Sequence, residues 1–243
     1  MALVSGLGAD SRFWYKQVPV LGKRFQTITF DNRGAGNSDK PDEPYTLRMM
    51  ADDLLGLLDR LELATPHLVG ASMGGFIAQE FALAYPRRVA KLVLCCTSFG
   101  GPRSDPIPAD ALRVMLTRTG DPERDLRAFL PMQFATDFMQ THSGELEAYV
   151  AWRVAHPQPP HAYQRQLMAG AAHNTEDRLS ALRLPALILH GAQDRVLPVR
   201  NGELLAKAIP GARLRIVPEG GHLFLWERAD DANWEIMEFL EHA

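Results

Sequence analysis

Six residues, Gly70-Ala71-Ser72-Met73-Gly74-Gly75, constrain this chain more than any others. An apolar run, His67-Leu68-Val69, leads in, and a helix-forming run, Phe76 to Ala84, leads out. Strand, sharp turn with a serine at its apex, then helix is the G-x-S-x-G pattern of a nucleophile elbow. Such a turn strains the serine backbone so that the hydroxyl stands clear of the sheet. Side chains at Gly70 or Gly74 would collide where strand and helix cross. The helix opening at Ser72 and Met73 also leaves backbone N–H groups able to hold a negative oxygen. The same letters fit a plain glycine-rich turn with a surface serine, so the partners of Ser72 must decide between the two.

The bulk properties narrow the setting. With 243 residues, 46% of them hydrophobic, one domain with an insertion is expected rather than two equal domains. The net charge is −3 and the basic residues are spread out, which supports neither nucleic acid nor an anionic membrane as partner. The two cysteines, Cys95 and Cys96, are adjacent on an apolar run, so they make no disulfide framework and have no metal-type spacing. That usage suits a reducing compartment and a cytoplasmic location. No run approaches the roughly 18 apolar residues of a membrane span. The N-terminus lacks the basic leader and apolar stretch of a secretory signal.

Read in order, the chain alternates. Strands are expected at Ala2–Ser5, Gln26–Asp31, His67–Val69 and Lys91–Thr97, with helices over Ser11–Leu21, Leu47–Leu61 and Phe76–Ala84 between them. Thr46 caps the second helix, whose Met50, Leu54, Leu57, Leu58 and Leu61 share a face, and Pro86 ends the third. This rhythm predicts a parallel sheet with right-handed crossovers. It then breaks: residues 99–184 carry prolines and helical patterns around Ala109–Thr119, Glu123–Phe138, Gly144–Ala155 and Tyr163–Ala172. The expected organisation is a core over residues 1–98, a helical cap insertion over 99–184 and a second core part over 185–243. The latter holds strands at Ala186–His190 and Arg213–Val217 and helices at Arg200–Ala208 and Ala229–Glu241.

A serine hydroxyl needs a base within hydrogen-bond reach, and the base needs an orienting acid. Reactive residues in parallel α/β sheets collect beyond the carboxyl ends of the strands. His222 follows the last strand directly, behind Gly220-Gly221, and is the candidate base. His67 and His190 lie in strands, His242 is terminal, and His142, His156, His161 and His173 fall in the insertion. Asp194, in the glycine turn after the preceding strand, is the candidate acid; its alternative role is an Asx turn. Asp31 also ends a strand, but beside a glycine loop where a turn role fits better. The order serine, aspartate, histidine is that of the α/β-hydrolases.

On these motifs, with Ser5-Gly6-Leu7-Gly8 and Asp31-Asn32-Arg33-Gly34-Ala35-Gly36-Asn37-Ser38, the chain resembles the α/β-hydrolase superfamily. It is most similar to the serine esterase and 3-oxoadipate enol-lactonase-like group with a helical cap. The resemblance implies a triad of Ser72, Asp194 and His222, an oxyanion hole from the backbone N–H groups of Leu7 and Met73, and no cofactor or metal. It implies that Arg33 braces its own loop. Two departures stand out. Ser5 replaces a frequent histidine, and the antiparallel hairpin that usually precedes the first strand is missing, either absent by nature or lost by truncation. A six-stranded sheet with an exposed first edge is then expected, in a monomer or a homodimer.

The implied chemistry is cleavage of a small, largely apolar ester or lactone through an acyl-enzyme. C–C bond hydrolysis or perhydrolysis by the same triad, or a weakly catalytic small-ligand binding module, are the alternatives. Trp152, Phe134, Phe138, Phe129, Met115 and Met168 are candidates for the substrate wall, or for packing within the cap. Arg113, Arg127, Arg153 and Arg165 are candidates to meet a carboxylate, or for a solvated face.

Overall fold

The computed structural model describes residues 1–117 and 119–242. Six strands form one sheet: β1 (Ala2–Val4), β2 (Ile28–Thr29), β3 (Leu68–Ala71), β4 (Leu92–Cys95), β5 (Ala186–Gly191) and β6 (Arg213–Val217). Their order is β2-β1-β3-β4-β5-β6, and every pair is parallel. The edges are therefore β2, only two residues long, and β6. Chain direction across the sheet reverses at β1, so the crevice beyond β1 and β3 is a topological switch point, where open α/β sheets bind ligands.

Strands β1, β3, β4 and β5 are buried throughout, as continuous apolar runs in a doubly covered sheet should be. Alternate residues serve opposite faces. Leu3, Val69, Val93 and Leu187 join one core cluster, while Val4, Leu68, Leu92 and Ile188 join the other. The first face is covered by α1 (Val18–Leu21) and the C-terminal helix α11 (Ala229–His242); the second by α2 (Leu47–Arg60), α3 (Met73–Ala84) and α9 (Arg200–Ala208). The Thr46 hydroxyl accepts from the Met49 N–H and caps α2. Its buried face is Leu47, Met50, Ala51, Leu54 and Leu58; Leu61 lies beyond the helix and is exposed.

Between β4 and β5 run α4 (Ala109–Leu116), α5 (Pro122–Gln133), α6 (Thr136–Thr141), α7 (Ser143–Ala155) and α8 (Pro160–Ala171). An isolated antiparallel bridge, Gly100 with Asn174, ties the two stems of this segment together. The expected helix over Ala109–Thr119 ends at Leu116, and Arg118 lies outside the described residues. The expected helix over Glu123–Phe138 is two helices, because its backbone at 133–135 is captured from elsewhere. The Gln133 carbonyl accepts from the Leu223 N–H at 2.9 Å, and the Ala135 N–H donates to Glu227 at 3.0 Å. The expected helix over Ser11–Leu21 is likewise a single turn at Ser11–Trp14 followed by α1, which opens with Pro19 in its first turn. A further short helix, α10 (Phe224–Glu227), precedes α11. No helix among the described residues is long and apolar enough to cross a membrane.

Candidate active site

Ser72 sits between β3 and α3 with φ 55° and ψ −122°, a conformation that L-residues other than glycine rarely adopt. The neighbouring glycines are needed because backbone meets backbone there. A Cβ on Gly74 would lie 2.0 Å from the Val4 carbonyl oxygen, and one on Gly70 2.4 Å from the Gly74 oxygen. The elbow is fastened on its far side by the Thr97 hydroxyl, which donates to the Ser72 carbonyl at 2.8 Å.

The loops after β5 and β6 bring two further side chains to Ser72. His222 Nε2 is 3.0 Å from Ser72 Oγ, and His222 Nδ1 is 2.8 Å from Asp194 Oδ2. Serine, imidazole and carboxylate thus form one hydrogen-bonded line, with Asp194 and His222 both buried. Asp194 Oδ1 accepts from the N–H groups of Val196 and Leu197, each at 2.8 Å, so the predicted turn role and the contact with His222 coexist in one side chain. Burial pushes the Asp194 carboxyl upward. The charge of His222 and hydrogen bonds from His190 and His222 outweigh it and hold the group well below the usual carboxylate range.

The loop after β1 closes the other side of Ser72. A Cβ on Gly6 would lie 3.1 Å from Ser72 Cβ, so Gly6-Leu7 packs directly against the serine. Among the described residues, neither the Leu7 nor the Met73 backbone N–H has a hydrogen-bond acceptor. Ser5, in place of the frequent histidine, anchors this loop instead: its Oγ accepts from Trp14 Nε1, and its carbonyl accepts from Asn32. Asp31 accepts from the N–H groups of Ser11 and Asn37, and Arg33 pairs with Asp53, so both brace loops away from Ser72.

A cavity of about 110 Å³ opens on Ser72 and His222. Its apolar wall from the insertion is Met115, Leu126, Phe129 and Tyr149, with Arg153 and Tyr163 toward a second cavity of about 330 Å³. Trp152, Phe134 and Phe138 are not in this wall. Trp152 stacks on Trp226 at 5.5 Å, and Phe134 stacks on Phe138 at 5.5 Å and meets Tyr149 edge-on. They support the wall from behind, because the break at residues 133–135 turns this side of the chain toward the core. Met168 is 61% exposed and lines neither cavity.

Two residues close to this hydrogen-bonded line have contacts that the sequence reading did not assign: His190, which it set aside as a base, and Glu227, which it did not consider. The His190 ring is fully buried, with Nε2 2.8 Å from the Leu197 carbonyl and 3.2 Å from Asp194 Oδ2. Its place at the end of an apolar strand, four residues before Asp194, was the available signal. The other is Glu227, whose carboxylate accepts from the Gly221 N–H at 3.1 Å and the Ala135 N–H at 3.0 Å. It therefore ties the loop preceding His222 to the insertion. Burial raises its carboxyl to about 7, against the pull of those two N–H groups.

This arrangement defines a class before any relative is considered: a serine–histidine–aspartate line at the carboxyl edge of a parallel sheet. The model of the α/β-hydrolase fold family matches residues 1–229, and the chain belongs to that family, as a hydrolase-fold enzyme. It is 34% identical to a Caulobacter vibrioides protein named carbamate hydrolase RutD, over 99% of this chain and 90% of that one. It is 31% identical to a poly(3-hydroxyalkanoate) depolymerase of Ectopseudomonas oleovorans, over 99% of this chain and 84% of the relative. The crystal structure of the enol-lactonase from Burkholderia xenovorans is similar with a TM-score of 0.88 at 29% identity, over 98% of this chain and 90% of that one.

Proposed function

We propose that the protein is a serine hydrolase that opens a small carboxylic ester or lactone through an acyl-enzyme. The observation that carries the reading is the line Ser72 Oγ, His222 Nε2, His222 Nδ1, Asp194 Oδ2, at 3.0 and 2.8 Å. With Nδ1–H donated to Asp194, the Nε2 lone pair faces the Ser72 hydroxyl, the tautomer that a general base requires. His222 takes the hydroxyl proton as Ser72 attacks the carbonyl carbon. The N–H groups of Leu7 and Met73 receive the developing oxyanion, and Asp194 stabilises the imidazolium. His222 then gives its proton to the leaving alkoxide, and the acyl-enzyme forms. In the second half His222 draws a proton from water as it attacks the acyl carbon, then returns that proton to Ser72 Oγ as the acyl–oxygen bond breaks and the acid leaves. The segment over residues 99–184 acts as a cap, excluding bulk water and supplying the apolar wall. The names of the relatives, a carbamate hydrolase, a polyester depolymerase and an enol-lactonase, all describe cleavage at an acyl carbon bonded to a heteroatom.

A panel of 4-nitrophenyl esters and lactones, run on the wild type and on Ser72→Ala, tests this. Turnover of at least one member is expected, falling on the order of 10⁶-fold in the variant, as for a comparable nucleophile. Activity that persists in Ser72→Ala removes the serine from the mechanism.

A further inference from the structure

One polar side chain of α8, Gln166, is fully buried and bonded at both ends to loops of the sheet. Its Oε1 accepts from the Gly8 N–H at 3.0 Å, and its Nε2 donates to the Arg33 carbonyl at 2.8 Å. An N–H can only donate and a carbonyl can only accept, so the two contacts fix which way the amide points. A buried amide is costly unless both of its ends are satisfied. Here both are, and by the backbone of the loops after β1 and β2 rather than by the helix that carries the side chain.

The loop after β1 needs such a fastener. Gly6, Leu7, Gly8 and Ala9 form a turn closed by the Ala9 N–H on the Gly6 carbonyl at 3.3 Å, with Gly8 at φ 67°. Leu7 is not at positive φ, so this is the type II pattern, which favours glycine as its third residue. The carbonyl and the N–H of one trans peptide point to opposite sides. The Gly6 carbonyl is turned inward to Ala9, which leaves the Leu7 N–H pointing out of the turn, on a loop packed against Ser72. Glycine at two of the four positions gives the turn little stiffness of its own. Its first end is held at Ser5 by Trp14 and Asn32, and its far end by Gln166. A flip of the Leu7–Gly8 peptide to the type I turn would point the Gly8 N–H away from Gln166.

We infer that Gln166 is a positioning residue for the oxyanion hole: by holding the Gly8 N–H it keeps the Leu7 N–H in place, so that seating α8 on the core completes the site. The inference rests on the proposed hydrolase reading, with Leu7 as an oxyanion donor. A donor is worth most when it is already in place as the charge develops. Without Gln166 the Gly8 N–H turns to other acceptors and the turn spreads over several conformations. The loss then falls on the transition state and not on the bound ester. His161, also on α8, supplies the comparison. It donates to the Lys40 carbonyl at 3.1 Å, joining the same helix to the core without touching the loop after β1.

Two measurements test it: turnover of whichever ester or lactone of the panel reacts fastest, and inhibition by butaneboronic acid, whose adduct with a serine is tetrahedral like the intermediate. Gln166→Met keeps the length of the side chain and loses both hydrogen bonds. Its kcat should fall on the order of tenfold to 10²-fold, less than the roughly 10²–10³ that outright loss of a donor costs. KM should change by no more than about threefold, because ground-state binding is untouched. The boronate Ki should rise in step with the fall in kcat/KM. Gln166→Glu retains an acceptor for Gly8 and should keep a larger share of kcat; it carries the test if urea unfolding shows that Gln166→Met does not fold. His161→Phe should match the parent in kcat. An unchanged kcat in Gln166→Met, a loss confined to KM, or an equal loss in His161→Phe overturns the inference and leaves the hydrolase reading standing. If the wild type turns over no member of the panel and does not bind the boronate, the hydrolase reading fails and takes the inference with it.

Discussion

Asp194 and Glu227 stand on either side of the loop that carries His222, and burial acts on both. Their proton affinities nevertheless move in opposite directions. Asp194 is held well below the ordinary range, whereas Glu227 is raised to about 7. The difference lies in what faces them. Asp194 has two backbone N–H groups on one oxygen and two imidazoles on the other, one of which becomes cationic during the proposed reaction. Glu227 has two backbone N–H groups and, among the described residues, no cation in hydrogen-bond contact; Arg228, next in the chain, pairs with Glu219. Burial alone therefore does not set the charge of a carboxyl. A region built to hold a negative charge supplies a cation, and a region built to tie two segments together supplies N–H groups alone.

The largest break of this contrast is Asp194→Asn. The amide oxygen can keep the Val196 and Leu197 N–H groups, which leaves the NH₂ facing His222 Nδ1. The imidazole proton is then driven to Nε2, and the ring can no longer accept from Ser72. A loss of about 10⁴ in kcat is expected, the size that such a wrong tautomer has in a comparable triad. Steady-state kinetics on a folded variant checks it, and a loss under tenfold would mean that the carboxylate charge at 194 does not matter.

Glu227→Gln tests the other side. The folded carboxyl titrates near 7 and its ordinary value is 4.5, so between these pH values the folded state binds more protons than the unfolded one. Stability from this group is full below about pH 4.5 and is lost as pH rises through 7, by up to about 3 kcal/mol. Glutamine stays neutral, and one oxygen suffices for both N–H groups, since Oε2 already reaches Ala135 at 3.0 Å and Gly221 at 3.3 Å. Urea unfolding should find parent and variant alike near pH 4.5 and the variant more stable at pH 8. Parallel profiles across that range would show that Glu227 is ordinary.

The same contrast explains what was legible. Ser72, Asp194 and His222 each follow a strand directly, and strands of a parallel sheet deliver their ends to one edge whatever else the chain does. The order of elements, the all-parallel pairing and the residues now in hydrogen-bond contact could thus be read locally. Glu227 could not, because its partners, Gly221 and Ala135, are set by docking of the insertion on the loop after β6. For the same reason Phe129 and Phe134, five positions apart and expected on one helix, face different surroundings: the capture of residues 133–135 ends α5 between them. Which aromatic meets substrate is a tertiary fact, and helical periodicity contains no trace of it.

The smallest effect sharpens the Asp194 side. His190 Nε2–H is shared between the Leu197 carbonyl and Asp194 Oδ2, and Gly202 leaves its ring the necessary room, since a Cβ there would lie 2.9 Å from Nδ1. His190→Phe removes the donor and leaves a buried carbonyl unpaired, at a cost of about 1–3 kcal/mol. Asp194 keeps three of its four donors, the two N–H groups and His222, so kcat at neutral pH should fall less than tenfold. His190→Gln, whose amide offers a donor at similar reach, should recover part of the stability. Denaturant midpoints for the pair give the comparison. Equal midpoints for Phe, Gln and the parent would mean that the second imidazole contributes nothing to holding the carboxylate, and that the backbone N–H groups and His222 alone set its charge.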